Sequence, residues 1–161
     1  MIEDNELWRY AVKVYSDPET SELFLTLQNR HHLGVNSLLF ALWLADQGRT
    51  LPEGLDDSDA KKWRLELLAP LRNLRYQLRG LKVSSEEEQC YQQLKIAELS
   101  AEKVEIGLLF ELQNCCPRTT HLADLSYRNL CAIAQIEPEV SGELQTLLSH
   151  LSDKATSSGS I

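Results

Sequence analysis

The feature that most constrains the fold of this chain is an unbroken apolar run of eight residues, 38–45. A helix needs about 20 such residues to cross a bilayer, so this run is too short to span a membrane. It lies in a predicted helix, residues 36–47, that Gly48 ends. In a soluble protein, a helix that is apolar on all sides is in contact with neighbours all round. We therefore predict that helix 36–47 lies at the centre of the fold.

Capping residues, prolines and glycines divide the rest of the chain into further helices, and strand patterns are scarce. The predicted helices cover residues 5–15, 17–32, 36–47, 57–79, 86–113, 119–134 and a last segment that begins at 138. Pro70 predicts a kink or break in the fourth helix. The fifth, at 1.5 Å per residue, is the longest at roughly 40 Å. The predicted fold class is an all-α, single-domain, compact bundle of about seven helices.

Length and composition place this bundle in one domain. The chain has 161 residues, of which 43% are hydrophobic and 25% charged. A chain of this length buries roughly 70% of its unfolded surface, which suffices for a core of its own. The domain is predicted to cover residues 1–152. From Asp153 onward the residues are small and polar, which predicts a disordered tail over 153–161.

Charge and cysteine usage indicate a cytosolic protein without a membrane segment. The first six residues are acidic and polar, whereas a secretory signal begins with basic residues and continues with apolar ones. The four cysteines, at positions 90, 115, 116 and 131, form no Cys-x-x-Cys pair, and this favours a reducing compartment. The formal charge of −8 argues against general affinity for nucleic acid, which we expect not to be a partner.

A basic segment, residues 61–82, stands out against this acidic background. It has seven basic residues and one acid, a net +6, so the remaining residues sum to −14. Four of its cations fall along one side of a helix: Arg72, Arg75, Arg79 and Lys82. The favoured interpretation is pairing with acids of helix 86–113 across an antiparallel hairpin. Those acids are Glu86, Glu87, Glu88, Glu98, Glu102, Glu105 and Glu111. The alternative is a contact row for an anion or a nucleic acid.

Patterns that would indicate a metal, a cofactor or a catalytic centre are weak. The histidines and cysteines do not have the spacing of a compact zinc motif; they are His31, His32, His121, Cys115 and Cys116. The acids around Asp57 lack the residue order of a calcium loop, and we predict that they cap the fourth helix. No glycine-rich phosphate loop, Gly-x-Ser-x-Gly or His-Glu-x-x-His pattern occurs in the sequence. We therefore predict no metal, no cofactor and no catalytic residue, and favour a non-enzymatic protein.

Asn36 is the polar residue of greatest interest, because it opens the most apolar helix. The favoured interpretation is that it caps this helix by accepting from the amide of Leu38 or Leu39. Alternatively, its amide faces a ligand in an aromatic-lined pocket with Trp8, Tyr15 and Trp43. Spacing in the first helix predicts that its apolar face is formed by Trp8, Ala11, Val12 and Tyr15.

The first 50 residues resemble an uncharacterised family of short proteobacterial proteins, a domain of unknown function. The resemblance rests on Leu7-Trp8, Tyr15, Pro18, Leu27-Gln28 and the run Val-Asn-Ser-Leu-Leu-Phe-Ala-Leu-Trp at 35–43. It extends more loosely to about residue 130. It implies a bacterial cytosolic protein with Trp8, Tyr15, Asn36 and Trp43 in its signature, and it implies no activity.

Three functional hypotheses follow. The first is a protein interaction or regulatory module that binds an unidentified protein partner through a helical face. The second is a binder of a small, partly apolar molecule in a pocket lined by Trp8, Tyr15, Asn36 and Trp43. The third is anion or nucleic-acid contact through the basic row Arg72, Arg75, Arg79 and Lys82.

Overall fold

The computed structural model describes residues 5–158, and these residues form a bundle of α-helices. In chain order the helices are α1 (Glu6–Tyr15), α2 (Pro18–His31), α3 (Val35–Asp46), α4 (Ser58–Trp63), α5 (Ala69–Leu81), α6 (Ser85–Glu111), α7 (Leu125–Ala134) and α8 (Glu143–Ser158). A π-helical turn, Arg64–Leu68, joins α4 to α5 without a break, so the described residues form seven continuous helical segments. The same residues contain no strand, only one isolated bridge between Arg49 and Arg118. The prediction of an all-α bundle is confirmed.

The centre of the bundle is α3. Every residue of this helix from Ser37 to Leu44 is buried, and α3 packs against α1, α2, α6 and α7. The ring of Trp43 lies between those of Phe40 and Phe110, at centroid distances of 6.4 and 5.5 Å. The buried central helix predicted from residues 38–45 is therefore confirmed. Its uniform burial fixes the positions of the helices that surround it.

Side-chain caps begin three of the helices as the sequence predicts. Asn5 Oδ1 accepts a hydrogen bond from the amide of Trp8 at 2.7 Å at the start of α1. Asp17 does the same at the start of α2. At the start of α6, Ser84 and Glu87 form a reciprocal capping box. These bonds satisfy amides that have no partner within the helix.

The helix from α4 to α5 does not break at Pro70. Instead, the five residues before Ala69 widen into the π-helical turn, in which the amide of Ala69 donates to the carbonyl of Arg64. A proline ring crowds the preceding turn of a regular α-helix and donates no hydrogen bond to it. The wider turn relieves this crowding, and the helix continues without interruption into α5.

Two helices near the C-terminus begin later than predicted. Helix α7 begins at Leu125 rather than at 119 or 120, because the amide of Thr119 donates to the carbonyl of Gly48 at 2.9 Å. Helix α8 begins at Glu143 rather than at Pro138, whose carbonyl accepts a hydrogen bond from the Tyr127 hydroxyl. At Pro138 this tertiary bond occupies a carbonyl that the first turn of a helix would have used, whereas at Thr119 it ties the backbone to the residues after α3.

Helix α8 continues through Ser158, in contrast to the predicted disordered tail from Asp153. Leu148, Leu151 and Ala155 are buried, so the apolar stripe of this helix extends beyond residue 152. Lys154 forms an ion pair with Glu19 of α2, which adds a second contact in the same turn. Residues 159–161, the remainder of the predicted tail, lie outside the described residues.

Candidate functional site

A cavity of about 410 Å³ lies between α1, α3, the π-helical turn, α5 and α6. Its apolar lining, termed the apolar side, is formed chiefly by Trp8, Val12, Tyr15, Leu39 and Leu99. Its polar lining, termed the polar side, includes Asn36, Arg64, Arg72, Arg75, Glu98, Glu102 and Glu105. A volume of this size is typical of a small-molecule site.

The apolar side arises because α1 is rotated relative to the prediction. Its buried residues are Leu7, Ala11 and Val14, which face the core. The predicted face included Val12 and Tyr15, but these side chains line the cavity and are 54% and 38% exposed. Helix α1 thus has a second apolar stripe that the protein itself does not cover.

Asn36 lies at the polar side and does not cap α3. The helix begins one residue earlier, at Val35, so Asn36 is inside its first turn. Its Nδ2 donates to Oε1 of Glu105 at 2.7 Å. The capping role predicted for Asn36 is therefore wrong, and its amide side chain connects α3 to α6 at the cavity.

Glu105 is the most deeply buried charged residue of the site, with 1% of its surface exposed. Its Oε2 is buried and has no hydrogen-bond partner in the structure. The guanidinium of Arg64 approaches this oxygen at 3.6 Å, beyond hydrogen-bonding distance. Arg64 Nη1 donates instead to Oγ of Ser37 at 3.0 Å. One carboxylate oxygen at the cavity thus lacks a donor.

The position of Arg64 depends on Gly34. A Cβ atom at residue 34 would lie 2.3 Å from Nη1 of Arg64, so any side chain there would displace the guanidinium. The π-helical turn begins at Arg64 and also places Leu68 at the cavity. Wide turns of this kind are frequent at functional sites.

Arg72 and Arg75 of α5 meet the acids of α6. Arg72 Nε lies 3.2 Å from Oε1 of Glu98, and its Nη2 lies 3.6 Å from Oε1 of Glu102. Arg75 donates to both oxygens of Glu98. The predicted pairing of the basic row with α6 is confirmed for these two arginines. Glu98 is consequently saturated with donors.

The other two cations of the basic row lie outside the cavity. Lys82 forms an ion pair with Glu88 and stands 4.3 Å from the ring centroid of Tyr91. The guanidinium of Arg79 stands 4.9 Å from the ring centroid of Tyr76. Since three of the four cations have carboxylate partners, the row does not form a continuous basic surface.

The surroundings of Glu102 and Glu105 raise the pKa of both carboxyl groups. Burial raises the pKa of Glu102 to about 7, and the negative charges of Glu98 and Glu105 act in the same direction, against Arg72. Burial also raises the pKa of Glu105, opposed by the hydrogen bond from Asn36 and by the charge of Arg64. Glu102 therefore exchanges its proton near neutral pH.

The structure brings together three of the four residues predicted to line a pocket: Trp8, Tyr15 and Asn36. Trp43 is not among the residues that line the cavity, because its ring is packed between two phenylalanines of the core. The buried glutamates were predicted only as pairing partners of the basic row. The spacing of Glu98, Glu102 and Glu105 puts all three on one face of a helix. This spacing is the sequence signal that could have identified them as part of the site.

The residues weighed as metal ligands do not form such a cluster. Within residues 5–158, no group of three or more His, Cys, Asp or Glu side chains is arranged to hold a metal ion. In the acidic loop before α4, Asp56 accepts a hydrogen bond from the amide of Ser58 at 3.1 Å. This bond closes a turn before the helix, and Asp57, the residue that precedes α4, makes no side-chain capping bond, so the capping predicted for these acids is wrong.

The fold and the cavity define an all-helical domain with a site of mixed polarity between helices. The sequence pattern of one family, described as a protein of unknown function (DUF2390), matches residues 6–109, and the chain belongs to this family. The matched region contains every residue that lines the cavity. No curated protein and no solved structure matches the chain. Across residues 5–158, no helix has the length and apolarity required to cross a bilayer.

Proposed function

We propose that this protein binds a small amphipathic molecule in the cavity between α1, α3, α5 and α6. The observation that carries the proposal is a cavity of about 410 Å³ with partly exposed apolar side chains on one side and buried charges on the other. Covering apolar surface contributes roughly 25 cal/mol per Å², so a ligand that covers Val12, Tyr15 and Leu99 gains affinity there. The charged side then selects and orients its polar group.

Each side of the cavity has a distinct role in this proposal. Trp8 and Tyr15 contact the apolar body of the ligand with rigid aromatic surfaces. Asn36 holds the carboxylate of Glu105 in place through the 2.7 Å hydrogen bond. Arg72 and Arg75 neutralise Glu98. The polar side is therefore pre-formed before a ligand enters, which reduces the entropic cost of binding.

The test uses N-phenyl-1-naphthylamine, a neutral apolar probe whose fluorescence rises in an apolar site. The wild type is expected to bind it saturably. Val12→Trp fills the apolar side and is expected to weaken binding by about tenfold, or about 1.4 kcal/mol. Val83→Trp is the matched control, because Val83 is 94% exposed and does not line the cavity. Absence of saturable binding to the wild type, or equal binding to both variants, contradicts the proposal.

A second candidate is a protein interaction module, and it is favoured by the surface of α5. This helix has no buried residue, and it exposes Leu74 and Leu81 at 51% and 71%. Affinity capture from the native cell should then enrich one protein in stoichiometric amount. Leu74→Glu with Leu81→Glu should abolish that enrichment without changing probe binding in the cavity. Equal enrichment by wild type and double variant counts against this candidate.

We also propose that the protein is bacterial and cytoplasmic. The resemblance of its first 50 residues to short proteobacterial proteins supports the origin. Its four cysteines are free thiols, which is common in a reducing compartment. Fractionation of the native cell tests the location, and recovery in a membrane or periplasmic fraction contradicts it.

A further inference from the structure

We infer that the ligand of this cavity is an organic ammonium ion joined to an apolar body. The inference rests on the proposed function and names the chemistry of the polar end. It starts from Glu105 Oε2, which is buried at the cavity without a hydrogen-bond donor. A buried carboxylate oxygen is normally satisfied by a donor, because leaving it unpaired is destabilising. A ligand that donates would supply the missing partner.

The nearby cations of the protein do not supply this donor. Arg64 Nη1 lies 3.6 Å from Oε2 and donates to Ser37. Arg72 and Arg75 both donate to Glu98. These bonds fix the guanidinium groups on other acceptors. Glu105 is paired with Arg64 and Glu102 with Arg72, each at 3.6 Å, and Oε2 of Glu105 is left without a hydrogen-bond donor.

The spacing of the two carboxylates suits an ammonium group. Glu102 and Glu105 are three residues apart on α6, so their Cβ atoms are about 5–6 Å apart on the same face. An ammonium nitrogen has three donors and no acceptor. It can therefore donate to both carboxylates at once. The charge is then paired and hydrogen-bonded, as burial of a charge requires.

The arginines that could hold an anionic ligand are already paired with glutamates of the cavity. A carboxylate entering the cavity would lie beside Glu102 and Glu105, and it would compete with Glu98 for the arginines. A neutral ligand could satisfy one oxygen, but it would bring no positive charge to the two carboxylates when both are ionised. The apolar body extends towards Trp8, Tyr15 and Leu99, which also line the cavity.

The experiment compares three probes that share one apolar body: tryptamine, tryptophol and indole-3-acetate. They carry an ammonium, a hydroxyl and a carboxylate, respectively. Affinities are measured by calorimetry on the full chain at about pH 8, above the pKa of Glu102 and below about 10, where an alkylammonium titrates. Tryptamine is expected to bind at least about tenfold more tightly than tryptophol, and indole-3-acetate most weakly.

Two variants test whether Glu102 and Glu105 cause the preference for the ammonium probe. Glu105→Gln and Glu102→Gln are each expected to reduce tryptamine affinity by about tenfold and to change tryptophol affinity by less than about twofold. Glu111→Gln is the control, because it lies on the same helix, is exposed and does not line the cavity. Binding of N-phenyl-1-naphthylamine to each variant shows that the cavity is intact. If Glu105→Gln fails to fold, Glu102→Gln decides.

The outcomes separate this inference from the proposed function. Equal affinity for the three probes, or a preference for indole-3-acetate, overturns the ammonium assignment, while the cavity remains a binding site. Failure of all three to bind, with the neutral naphthylamine still bound, also overturns it. A tryptamine preference that persists in both glutamine variants overturns the role of Glu102 and Glu105. Failure of every probe, naphthylamine included, overturns the proposed function itself.

Discussion

Glu105 is a charged residue on the buried face of α6, with 1% of its surface exposed. Transfer of an isolated carboxylate from water to an apolar interior is costly, and proteins offset that cost with donors and opposite charge. Here Asn36 supplies the donor and Arg64 the nearby charge. The stability of this arrangement depends on the amide more than on the arginine, because only the amide is within hydrogen-bonding distance.

Replacement of Asn36 by alanine should therefore destabilise the protein. Without the amide, both oxygens of Glu105 lack a donor, and the expected loss is about 1–3 kcal/mol in the free energy of unfolding. Urea denaturation at constant pH measures it. Asn73→Ala is the control, because Asn73 is exposed on α5, where a substitution changes stability by about 0.5 kcal/mol at most. Equal midpoints for the two variants would show that the Asn36–Glu105 bond contributes nothing.

The raised pKa of Glu102 predicts the direction of a pH dependence. The folded state holds the proton up to about pH 7, whereas the unfolded chain releases it near 4.5. Between these values the folded state binds more protons, so stability falls as pH rises. Because the side chain of Glu102 is partly exposed, we expect the free energy of unfolding to fall by about 1–3 kcal/mol across this window.

Glu102→Gln removes this titration, so its stability relative to the wild type should increase as pH rises from about 5 to 8. Urea midpoints at several pH values provide the comparison. The exposed control Glu111→Gln should follow the wild-type curve. A constant difference between wild type and Glu102→Gln at all pH values would mean that Glu102 titrates normally.

Sequence patterns identified part of the cavity lining. The residues that they misplaced or missed have physical explanations. Trp8, Tyr15 and Asn36 lie together at the cavity, because helical spacing brings residues of α1 together and Asn36 lies in the first turn of the most apolar helix. Trp43 was wrongly included, because the periodicity of an all-apolar helix does not show which of its sides meets a core and which meets a cavity. Burial of Glu98 and Glu105 depends on partners from other helices, which spacing within α6 does not reveal.

At the scale of elements, local signals identified the helices better than their ends. Capping residues act on their own helix, so the starts of α1, α2 and α6 were predicted to within one residue. The starts of α7 and α8 were wrong, because hydrogen bonds to distant parts of the chain determine them. The end of α8 was also wrong: Ala155, although small, is 5% exposed in the structure, and the composition of the segment does not predict burial.

The buried turn of α8 leads to a prediction. Ala155→Asp introduces a carboxylate into an apolar contact and should lower the free energy of unfolding by about 2 kcal/mol or more. Ser157→Asp is the matched control, because Ser157 is exposed two residues further along the same helix. Urea or thermal unfolding compares the two. If both variants unfold at the same midpoint, residues 153–158 do not pack against the bundle in solution, and the predicted tail was correct.

At the scale of the whole molecule, the walls of the cavity differ in how firmly they are held. Helix α3 is buried from Ser37 to Leu44 and packs against four helices. Helix α5 has no buried residue and packs mainly against α6 and the π-helical turn. Segments with few buried apolar contacts open at lower free energy than the core. The cavity thus has one firmly held wall and one that can open independently.

Amide hydrogen exchange should resolve this difference. Amides of α5 are expected to exchange at least about tenfold faster than those of α3, because opening of α5 exposes little apolar surface whereas opening of α3 unfolds the bundle. A ligand held between α5 and α6 stabilises the closed form, so a saturating ligand should slow exchange in α5 and leave α3 unchanged. Helix α7, which contacts α3 but does not line the cavity, is the internal control. Equal protection of α5 and α3 in the free protein would mean that the bundle opens only as one unit, and that a ligand enters without movement of α5.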